Sequence, residues 1–387
     1  MNHRIESMKP SASMVLMARA KQMQKTDPTV IGLAGGEPDF ATPDRISMAA
    51  IRSLSEGYTH YVVGPGLPEL RAAIAKKLRE ENGLDYDENC ILVTPGGKNA
   101  IYLAVQAILN EGDEVLVLDP AWVSYEPIVQ AAGGVTVKVK LDYQQDYRIT
   151  AEALEAACTD KTRLLIINYP NNPTGRILHK DEADILEAFM LRHPDVYMLS
   201  DEVYEKLVYD GVKSISMGSY PSIRDRVATM NGFSKSVAMT GWRLGYIAGP
   251  QEMIEPMNRL SFYMTAGATT FVQYAGVAAL HEEDGSIERM RQEFKRRRDY
   301  LVEEINKLEH FSCKKPEGAF YIFMNIRKTG MTSAEFCSYA IDKYRLALIP
   351  GDAFGTNGEG YARLSYASSM EVLERAIGIL QEMDRAL

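Results

Sequence analysis

The central part of the chain alternates short apolar runs with segments of helical periodicity. The apolar runs are typical of strands buried on both faces, because polar and apolar positions do not alternate within them. Helices between such strands provide the long connections that parallel pairing requires. The predicted strands cover residues 90–94, 114–118, 135–139, 164–168, 196–199, 227–230 and 244–248, and the predicted intervening helices cover 97–109, 124–132, 151–158 and 180–192.

The two ends of the chain follow other patterns. The predicted elements there are helices over 11–25, 42–56, 68–82, 252–281 and 286–308 and from residues 333 and 370, with strands over 30–33, 319–324 and 362–365. The fold class is therefore α/β. We expect a large domain over 42–284, with a mostly parallel seven-stranded sheet between helices, and a smaller α+β domain formed by 1–41 and 285–387.

Composition narrows the functional classes. The net charge of −9 argues against a nucleic-acid partner, since such proteins present a basic surface. No segment reaches the roughly 18 consecutive apolar residues of a membrane span, and the N-terminus lacks an apolar export signal. A cytoplasmic protein without a membrane partner is expected. The basic run over 295–298 is predicted to be a solvated helix face.

The metal-binding residue types show no motif. The cysteines at positions 90, 158, 313 and 337 lack CxxC spacing, and the six histidines form no HxxxH pair. We therefore expect reduced thiols and no metal site.

The stretch from 231 to 249 presents the strongest candidate chemistry. An apolar strand stops at Asn231-Gly232, and a loop of small residues then carries Lys235 and, eight positions later, Arg243. Ligands bind at the carboxyl ends of strands in α/β sheets, so both cations lie where a ligand is expected. Taken alone, Lys235 fits a solvated surface lysine equally well.

Other unusual side chains follow neighbouring strands. Gly97 and Lys98 open a helix directly after a strand, which suits an anion such as phosphate, although glycine is common in such turns. The GxGxxG and GxxxxGK[ST] patterns are absent, which disfavours a pyrophosphate or nucleoside triphosphate. Asp201, which by itself fits a helix N-cap, also follows a strand. Trp122 offers a flat stacking surface.

A lysine that can form a Schiff base, an acid for a ring nitrogen and a helix N-terminus for phosphate are the parts that pyridoxal phosphate chemistry requires. The chain resembles the class I aminotransferases of the fold-type I pyridoxal-phosphate superfamily, and among them the bacterial aspartate aminotransferases. The resemblance covers nearly the full length. It rests on Gly-Gly-Glu-Pro-Asp-Phe at 35–40, Asn-Asn-Pro-Thr-Gly at 171–175, Ser-Asp-Glu-Val-Tyr at 200–204, Ser-Lys-x-x-x-Met-Thr-Gly-Trp-Arg-Leu-Gly-Tyr at 234–246 and Ala-Arg-Leu-Ser-Tyr-Ala at 362–367.

The resemblance implies roles around the cofactor ring. Lys235 would hold the cofactor covalently and, once displaced by substrate, carry the proton between the substrate Cα and the cofactor. Asp201 would keep the pyridine nitrogen protonated. Tyr204 and Asn172 would hydrogen-bond the ring oxygen, and Trp122 would stack on the ring.

The resemblance also implies a phosphate site. Arg243, the backbone amides near Gly97 and Lys98, and Tyr61 from the partner subunit of a homodimer would hold the phosphate. Many relatives carry Ser three positions before the lysine as a further ligand. Here that position is Gly232, so one side-chain donor is lost and backbone must replace it.

For the substrate, Arg363 is expected to grip the α-carboxylate as a bidentate fork, helped by Asn172, the backbone of Gly36 and Trp122. The arginine with which animal aspartate aminotransferases bind the distal carboxylate has no clear counterpart. Lys9, in Lys-Pro-Ser at 9–11, resembles a motif that the bacterial subgroup links to acidic side chains. A solvated tail lysine is the alternative.

These features favour transamination between L-aspartate and 2-oxoglutarate, running ping-pong through the pyridoxamine form. An aromatic or prephenate aminotransferase on the same scaffold is the first alternative. A cystathionine-type β-lyase shares the fold and Lys235. A non-catalytic module of the kind fused to transcription factors is disfavoured, because the chain is acidic and the region before the scaffold is short.

Overall fold

The large sheet has the expected seven strands. The computed structural model describes residues 3–8, 12–62, 64–281 and 284–387. In these ranges the sheet has the order β2-β8-β7-β6-β5-β3-β4, and only β8 runs antiparallel to its neighbours. The strands of the chain are β1 Ile31–Gly32, β2 Ile91–Thr94, β3 Glu114–Asp119, β4 Val135–Lys140, β5 Thr162–Asn168, β6 Tyr197–Asp201, β7 Val227–Gly232, β8 Gly245–Ala248, β9 Tyr321–Asn325, β10 Leu346–Ala347, β11 Ile349–Pro350 and β12 Tyr361–Ser365.

Helices cover both faces of this sheet, and nearly every residue of β2, β3, β5, β6, β7 and β8 is buried. This explains why those strands are apolar throughout. The α-helices are α1 His3–Glu6, α2 Ala12–Gln24, α3 Asp44–Ser55, α4 Pro68–Lys77, α5 Gly97–Ile108, α6 Tyr125–Ala131, α7 Ala151–Ala157, α8 Lys180–Arg192, α9 Phe233–Ser236, α10 Gln251–Thr265, α11 Thr270–Leu280, α12 Ser286–Ile305, α13 Ser333–Tyr344 and α14 Met370–Ala386.

The single helix predicted over 252–281 is wrong, because two helices, α10 and α11, occupy that region. Ala266 and Gly267 between them have φ angles of 54° and 118°. A right-handed helix cannot continue through residues with positive φ. The apolar pattern persists across the break because both helices bury a face, so periodicity alone did not reveal it.

The N-terminal segment packs with the C-terminal region. β1 pairs in parallel with β10, and Leu33 O accepts a hydrogen bond of 2.8 Å from the Ser365 amide at the end of β12. β12 lies between β11 and β9 in an antiparallel sheet. Residues from both ends of the chain therefore share one hydrophobic core.

The basic run on α12 is a solvated face only in part, because Arg296 is exposed and Lys295 is half-buried. Arg297 and Arg298 are buried, with Arg297 paired to Asp39 at 2.7 Å and Arg298 paired to Asp210 at 2.8 Å. The prediction is wrong for these two arginines, because a residue's own helix does not reveal which acids from distant segments pack against it. Buried arginines require such partners.

Two further expectations concern chemistry and membranes. All four cysteines are free thiols. Within the described ranges, no helix is both long enough and apolar enough to span a membrane.

Candidate active site

Lys235 lies at the centre of the site. β7 ends at Gly232, and the short helix α9 then carries Lys235, whose ammonium donates a hydrogen bond to Gly36 O. Desolvation lowers the pKa of this partly buried lysine to about 8, and the positive charges of Arg243 and Arg363 also lower it. A larger share of neutral amine makes the side chain nucleophilic near neutral pH.

Asp201 is the last residue of β6 and is buried. Its carboxylate accepts a hydrogen bond of 2.6 Å from Tyr125 Oη and one of 3.2 Å from the Val203 amide. Burial raises the pKa of Asp201 to about 6. A cationic group brought against this carboxylate would offset that effect, because opposite charges favour each other's ionised forms.

Asn168 ties the neighbouring turn to β6. Its side-chain nitrogen Nδ2 donates to Asp201 O at 3.0 Å, and its side-chain oxygen Oδ1 accepts from the backbone amide of Asn172 at 2.9 Å. The Asn172 side chain is thereby held beside Arg363, whose Nη1 donates to Asn172 Oδ1 at 2.8 Å.

A cationic end of the site forms where β2 leads into α5. The N-cap Gly96 has a φ of 82° and no side-chain capping bond, so the amides of the first helical turn face outwards without a side-chain acceptor. The Arg243 guanidinium lies against Gly96, where an added Cβ would come within 2.3 Å of Nη2. Partial desolvation lowers the pKa of Lys98, and the Arg243 charge lowers it further. Two repelling cations beside a helix N-terminus form a cradle for an anion.

Arg363 projects from β12 and is 4% exposed. It donates from Nη2 to Ala34 O at 2.9 Å, and its buried Nε has no hydrogen-bond partner. No carboxylate of the described residues lies within 4.0 Å of it. A buried guanidinium without a counter-ion is costly, so this site is suited to a carboxylate ligand.

Two aromatic residues complete the site, and sequence reasoning missed both. Tyr125 lies three residues after Trp122, and the two rings meet edge-on with centroids 5.3 Å apart. Tyr321 donates to or accepts from Tyr204 at an Oη–Oη distance of 2.7 Å. The spacing of Tyr125 from Trp122 across a helix start offered a weak signal, whereas nothing in the sequence near Tyr321 points to the site.

Trp122 also faces the cationic end, because the Lys98 ammonium lies 4.9 Å from its ring centroid. Interactions therefore run from Lys98 through Trp122, Tyr125 and Asp201 across the floor of the site. Together, an aromatic ring, a carboxylate and a cationic end are groups that suit a planar cationic ring with an anionic substituent.

Two sequence-based expectations remain apart from this arrangement. Tyr61 is 87% exposed and contributes nothing to the site of its own chain among the contacts described. Lys9 lies outside the described residues, so its predicted contact with a distal carboxylate stays a prediction.

The close approach of two strands gives a reason for Gly232. A Cβ at this position would lie 3.2 Å from Gly245 Cα and 3.2 Å from Leu244 O. Contacts this short leave little room for a side chain, so the serine of other relatives would require β8 to shift.

The donor set fits pyridoxal phosphate. The unpartnered Arg363 Nε suits a substrate carboxylate, the Gly96 cradle suits a phosphate, and Asp201 suits a protonated ring nitrogen beside Lys235. The fold and these groups define a fold-type I pyridoxal-phosphate enzyme.

A family model described as aminotransferase class I and II matches residues 28–380, and the chain belongs to this family. Its activity is therefore pyridoxal-phosphate-dependent transamination. An aspartate aminotransferase from Geobacillus stearothermophilus is 41% identical over 380 residues, covering 97% of this chain and 96% of the relative. An aromatic-amino-acid aminotransferase from Thermococcus litoralis is also 41% identical, covering 99% and 98%. The Thermus thermophilus aspartate aminotransferase structure with maleate has a TM-score of 0.94 at 38% identity, covering 99% of each chain.

Proposed function

We propose that the chain transfers the amino group of L-aspartate to 2-oxoglutarate. The observation that carries amino-acid transamination is Arg363, a buried guanidinium near Lys235 that has no carboxylate partner among the described residues, while the choice of aspartate rests on the names of relatives. Relatives from Geobacillus stearothermophilus and Pyrococcus abyssi, 41% and 42% identical, are named aspartate aminotransferases. The Thermococcus litoralis relative at 41% identity supports an aromatic amino acid as the second candidate donor.

The proposed roles at the substrate end follow from charge and position. Arg363 binds the α-carboxylate with two parallel hydrogen bonds, while Asn172 and Gly36 fix its orientation. Lys235, with its pKa lowered to about 8, takes the proton from the substrate Cα as a general base. Tyr204 donates a hydrogen bond to the ring oxygen of the cofactor.

At the ring, pyridoxal phosphate supplies the electron sink that makes the substrate Cα–H acidic. Asp201 holds the proton of the ring nitrogen by charge, and Tyr125 fixes the carboxylate through its 2.6 Å hydrogen bond. Trp122 would stack on the ring and shield it from water.

The phosphate is proposed to bind Arg243, the amides of Gly97 and Lys98, and Tyr61 of the partner subunit. Arg243 and Lys98 are exposed in the single chain, as is Tyr61. A homodimer that covers this end of each site would provide the missing wall.

The cellular setting and the domain division also stay proposals. We propose a cytoplasmic enzyme, with a large domain over 42–284 and a small domain formed by 1–41 and 285–387. The parallel pairing of β1 with β10 supports grouping the two chain ends.

The lysine assignment is tested by Lys235→Ala. The visible absorption of lysine-bound cofactor and the turnover should both disappear, because no other amine lies at this position. Lys213→Ala, at an exposed lysine, is the matched control and should keep both. An absorption band that survives in the Lys235 variant would assign the cofactor to another lysine.

The preferred substrates are identified from transamination rates. Aspartate, phenylalanine and tyrosine are compared as amino donors, and prephenate is tested as an acceptor. Aspartate should give the highest kcat/KM with 2-oxoglutarate. Lys9→Ala should raise the KM for aspartate far more than the KM for phenylalanine, since only aspartate carries a distal carboxylate. Equal changes would contradict the role of Lys9, and preferred turnover of phenylalanine would favour the aromatic candidate.

A further inference from the structure

Tyr321 joins two groups that the proposed function uses separately. Its hydroxyl lies 2.7 Å from Tyr204 Oη, and its ring centroid lies 4.3 Å from Arg363 Cζ. Both tyrosines are buried. One side chain therefore contacts the carboxylate-binding arginine through its ring and the tyrosine beside the cofactor through its hydroxyl.

We propose that Tyr321 is a positioning residue that transmits carboxylate binding at Arg363 to Tyr204, and through Tyr204 to the cofactor's ring oxygen. This inference rests on the proposed roles of Arg363 and Tyr204.

The direction of the hydrogen bond follows from proton counting. A tyrosine hydroxyl has one proton and can accept further hydrogen bonds. When Tyr204 donates its proton to the ring oxygen, its own oxygen must accept from Tyr321. The two hydroxyls then form a chain in which each bond strengthens the next, an effect that is larger in a buried, low-dielectric site.

The positive charge of Arg363 acts on both hydroxyls, those of Tyr204 and Tyr321. Burial raises the pKa of Tyr204 and Tyr321, so both keep their protons, while the Arg363 charge opposes the rise at each hydroxyl. A cation against the ring makes Tyr321 a better donor. When a carboxylate neutralises Arg363, Tyr321 becomes a weaker donor, and Tyr204 in turn donates less strongly to the ring oxygen.

Packing constrains both Tyr321 and Arg363. A Cβ on Gly36 would lie 3.1 Å from Tyr321 Oη, so glycine leaves just enough room for the hydroxyl. Phe354 contacts the Arg363 guanidinium at 4.9 Å from its ring centroid, without a hydroxyl of its own. Two aromatic rings therefore contact Arg363, and only that of Tyr321 carries a hydroxyl that bonds to Tyr204.

The test is a pH titration of the visible absorbance of the holoenzyme, with and without saturating maleate or 3-phenylpropanoate. Binding of each carboxylate is measured separately by calorimetry. The charged groups that act on Lys235, namely Glu37, Asp201, Arg243 and Arg363, stay unchanged in every variant. In the wild type, the bound carboxylate should raise the spectral pKa.

Tyr321→Phe keeps the ring against Arg363 and removes only the hydroxyl. The ligand-free spectral pKa should rise by about 0.5 unit, the equivalent of one modest hydrogen bond, and the further rise on carboxylate binding should shrink by a similar amount. A carboxylate-induced rise equal to that of the wild type would overturn the proposal. So would a wild-type enzyme that binds carboxylate without any spectral shift.

Two controls separate coupling from general damage. Tyr366→Phe removes another buried hydroxyl, which donates to Ala319 O at 3.1 Å, and should titrate like the wild type. Phe354→Leu loosens the packing on Arg363 and should weaken carboxylate binding while keeping the full spectral rise at saturation. A reduced rise in Phe354→Leu as large as that in Tyr321→Phe would overturn a specific role for the hydroxyl. Failure of the wild type to bind either carboxylate would instead refute the proposed function of Arg363.

Discussion

At the scale of single residues, the site holds charges that the folded chain alone does not neutralise. Arg363 is buried without a carboxylate partner among the residues described, and burial raises the pKa of Asp201 to about 6. Uncompensated buried charges cost several kcal/mol in the protein alone. Ligands that bring a carboxylate to Arg363 and a cation to Asp201 recover part of this free energy as binding affinity.

Asp201→Asn tests this balance. The side chain keeps its size, but loses the negative charge that holds a proton on the ring nitrogen. The cofactor should remain bound, while single-turnover transamination should fall by about 100-fold or more, the size typical of a lost electrostatic contribution at a reacting centre. Tyr125→Phe removes one donor to Asp201 and should cause a smaller loss. Near-normal turnover in Asp201→Asn would refute the proposed role.

At the scale of elements, glycines let backbone and side chains approach each other around the cationic end. Gly96 makes room for Arg243 between β2 and α5, and Gly97 borders Met230, where a Cβ would lie 2.6 Å from Sδ. Gly245 of β8 lies against the same turn, with the site of its Cβ 2.6 Å from the Gly97 nitrogen. This packing brings the first turn of α5 next to Arg243.

Gly96→Ala and Gly112→Ala form a matched pair. Both glycines have similar positive φ angles, 82° and 86°, so both alanines should lose about 1–2 kcal/mol of unfolding free energy from backbone strain. Only the Gly96 site has Arg243 within 2.3 Å, whereas the Gly112 site is open. Cofactor affinity, measured by equilibrium titration, should therefore fall about tenfold or more in Gly96→Ala alone. Equal affinities in the two variants would contradict the Arg243 cradle.

At the scale of the whole molecule, the segment over 34–39 connects the N-terminal region to several distant elements. Its carbonyl oxygens accept hydrogen bonds from Arg363 of β12 and Lys235 of α9, and Asp39 pairs with Arg297 of α12. Elements far apart in sequence are thus joined through the segment 34–39. The geometry at Lys235 depends on contacts from both ends of the chain.

A buried group of charges directly after β6, Glu202 and Glu205 with Lys77, makes the stability of the fold depend on pH. Burial raises the pKa of Glu202 to about 8, and the nearby charge of Glu205 adds to the rise. A raised carboxyl pKa in the folded state means that stability falls as pH increases from about 4.5 to 8. Glu202→Gln removes this titration, so its unfolding free energy relative to wild type should increase by up to about 1.4 kcal/mol for each pH unit in that window.

Urea unfolding at a series of pH values provides the measurement. Glu205→Gln is the opposite control, because burial would raise the pKa of Glu205 but the Lys77 ammonium more than offsets this and lowers it. The stability of that variant relative to wild type should fall as pH rises from the lowered pKa of Glu205 to about 4.5 and should stay constant above it, because a lowered carboxyl pKa stabilises the folded state fully above the unfolded pKa. A stability difference for Glu202→Gln that does not change with pH would show that Glu202 does not titrate in this range.

The proposed homodimer is tested by mixing two inactive or weakened variants. If Tyr61 serves the neighbouring site, a heterodimer of Lys235→Ala and Tyr61→Phe subunits contains one site with both native residues. Refolding the mixture should then restore wild-type cofactor affinity in a fraction of the sites. If Tyr61 acted within its own chain, every site would carry a defect and no affinity would return.

The sequence by itself determined the mostly parallel sheet and the cofactor, and it singled out candidate residues for the site at the strand ends. Local patterns suffice for these features, because buried parallel strands are apolar throughout and each strand end delivers its side chain to the same edge. Lys235, Asp201 and Arg363 could be singled out because each lies in a motif of the resembled family.

Only the tertiary structure decided which distant residues meet. Tyr125 joins the site from a helix that gave only a weak signal and Tyr321 from a strand that gave none, and Arg297 is buried with Asp39 as its partner. The break between α10 and α11 likewise depends on backbone angles that an unbroken apolar pattern conceals. Contacts between segments far apart in the chain are set by how the elements pack, and no local pattern encodes them.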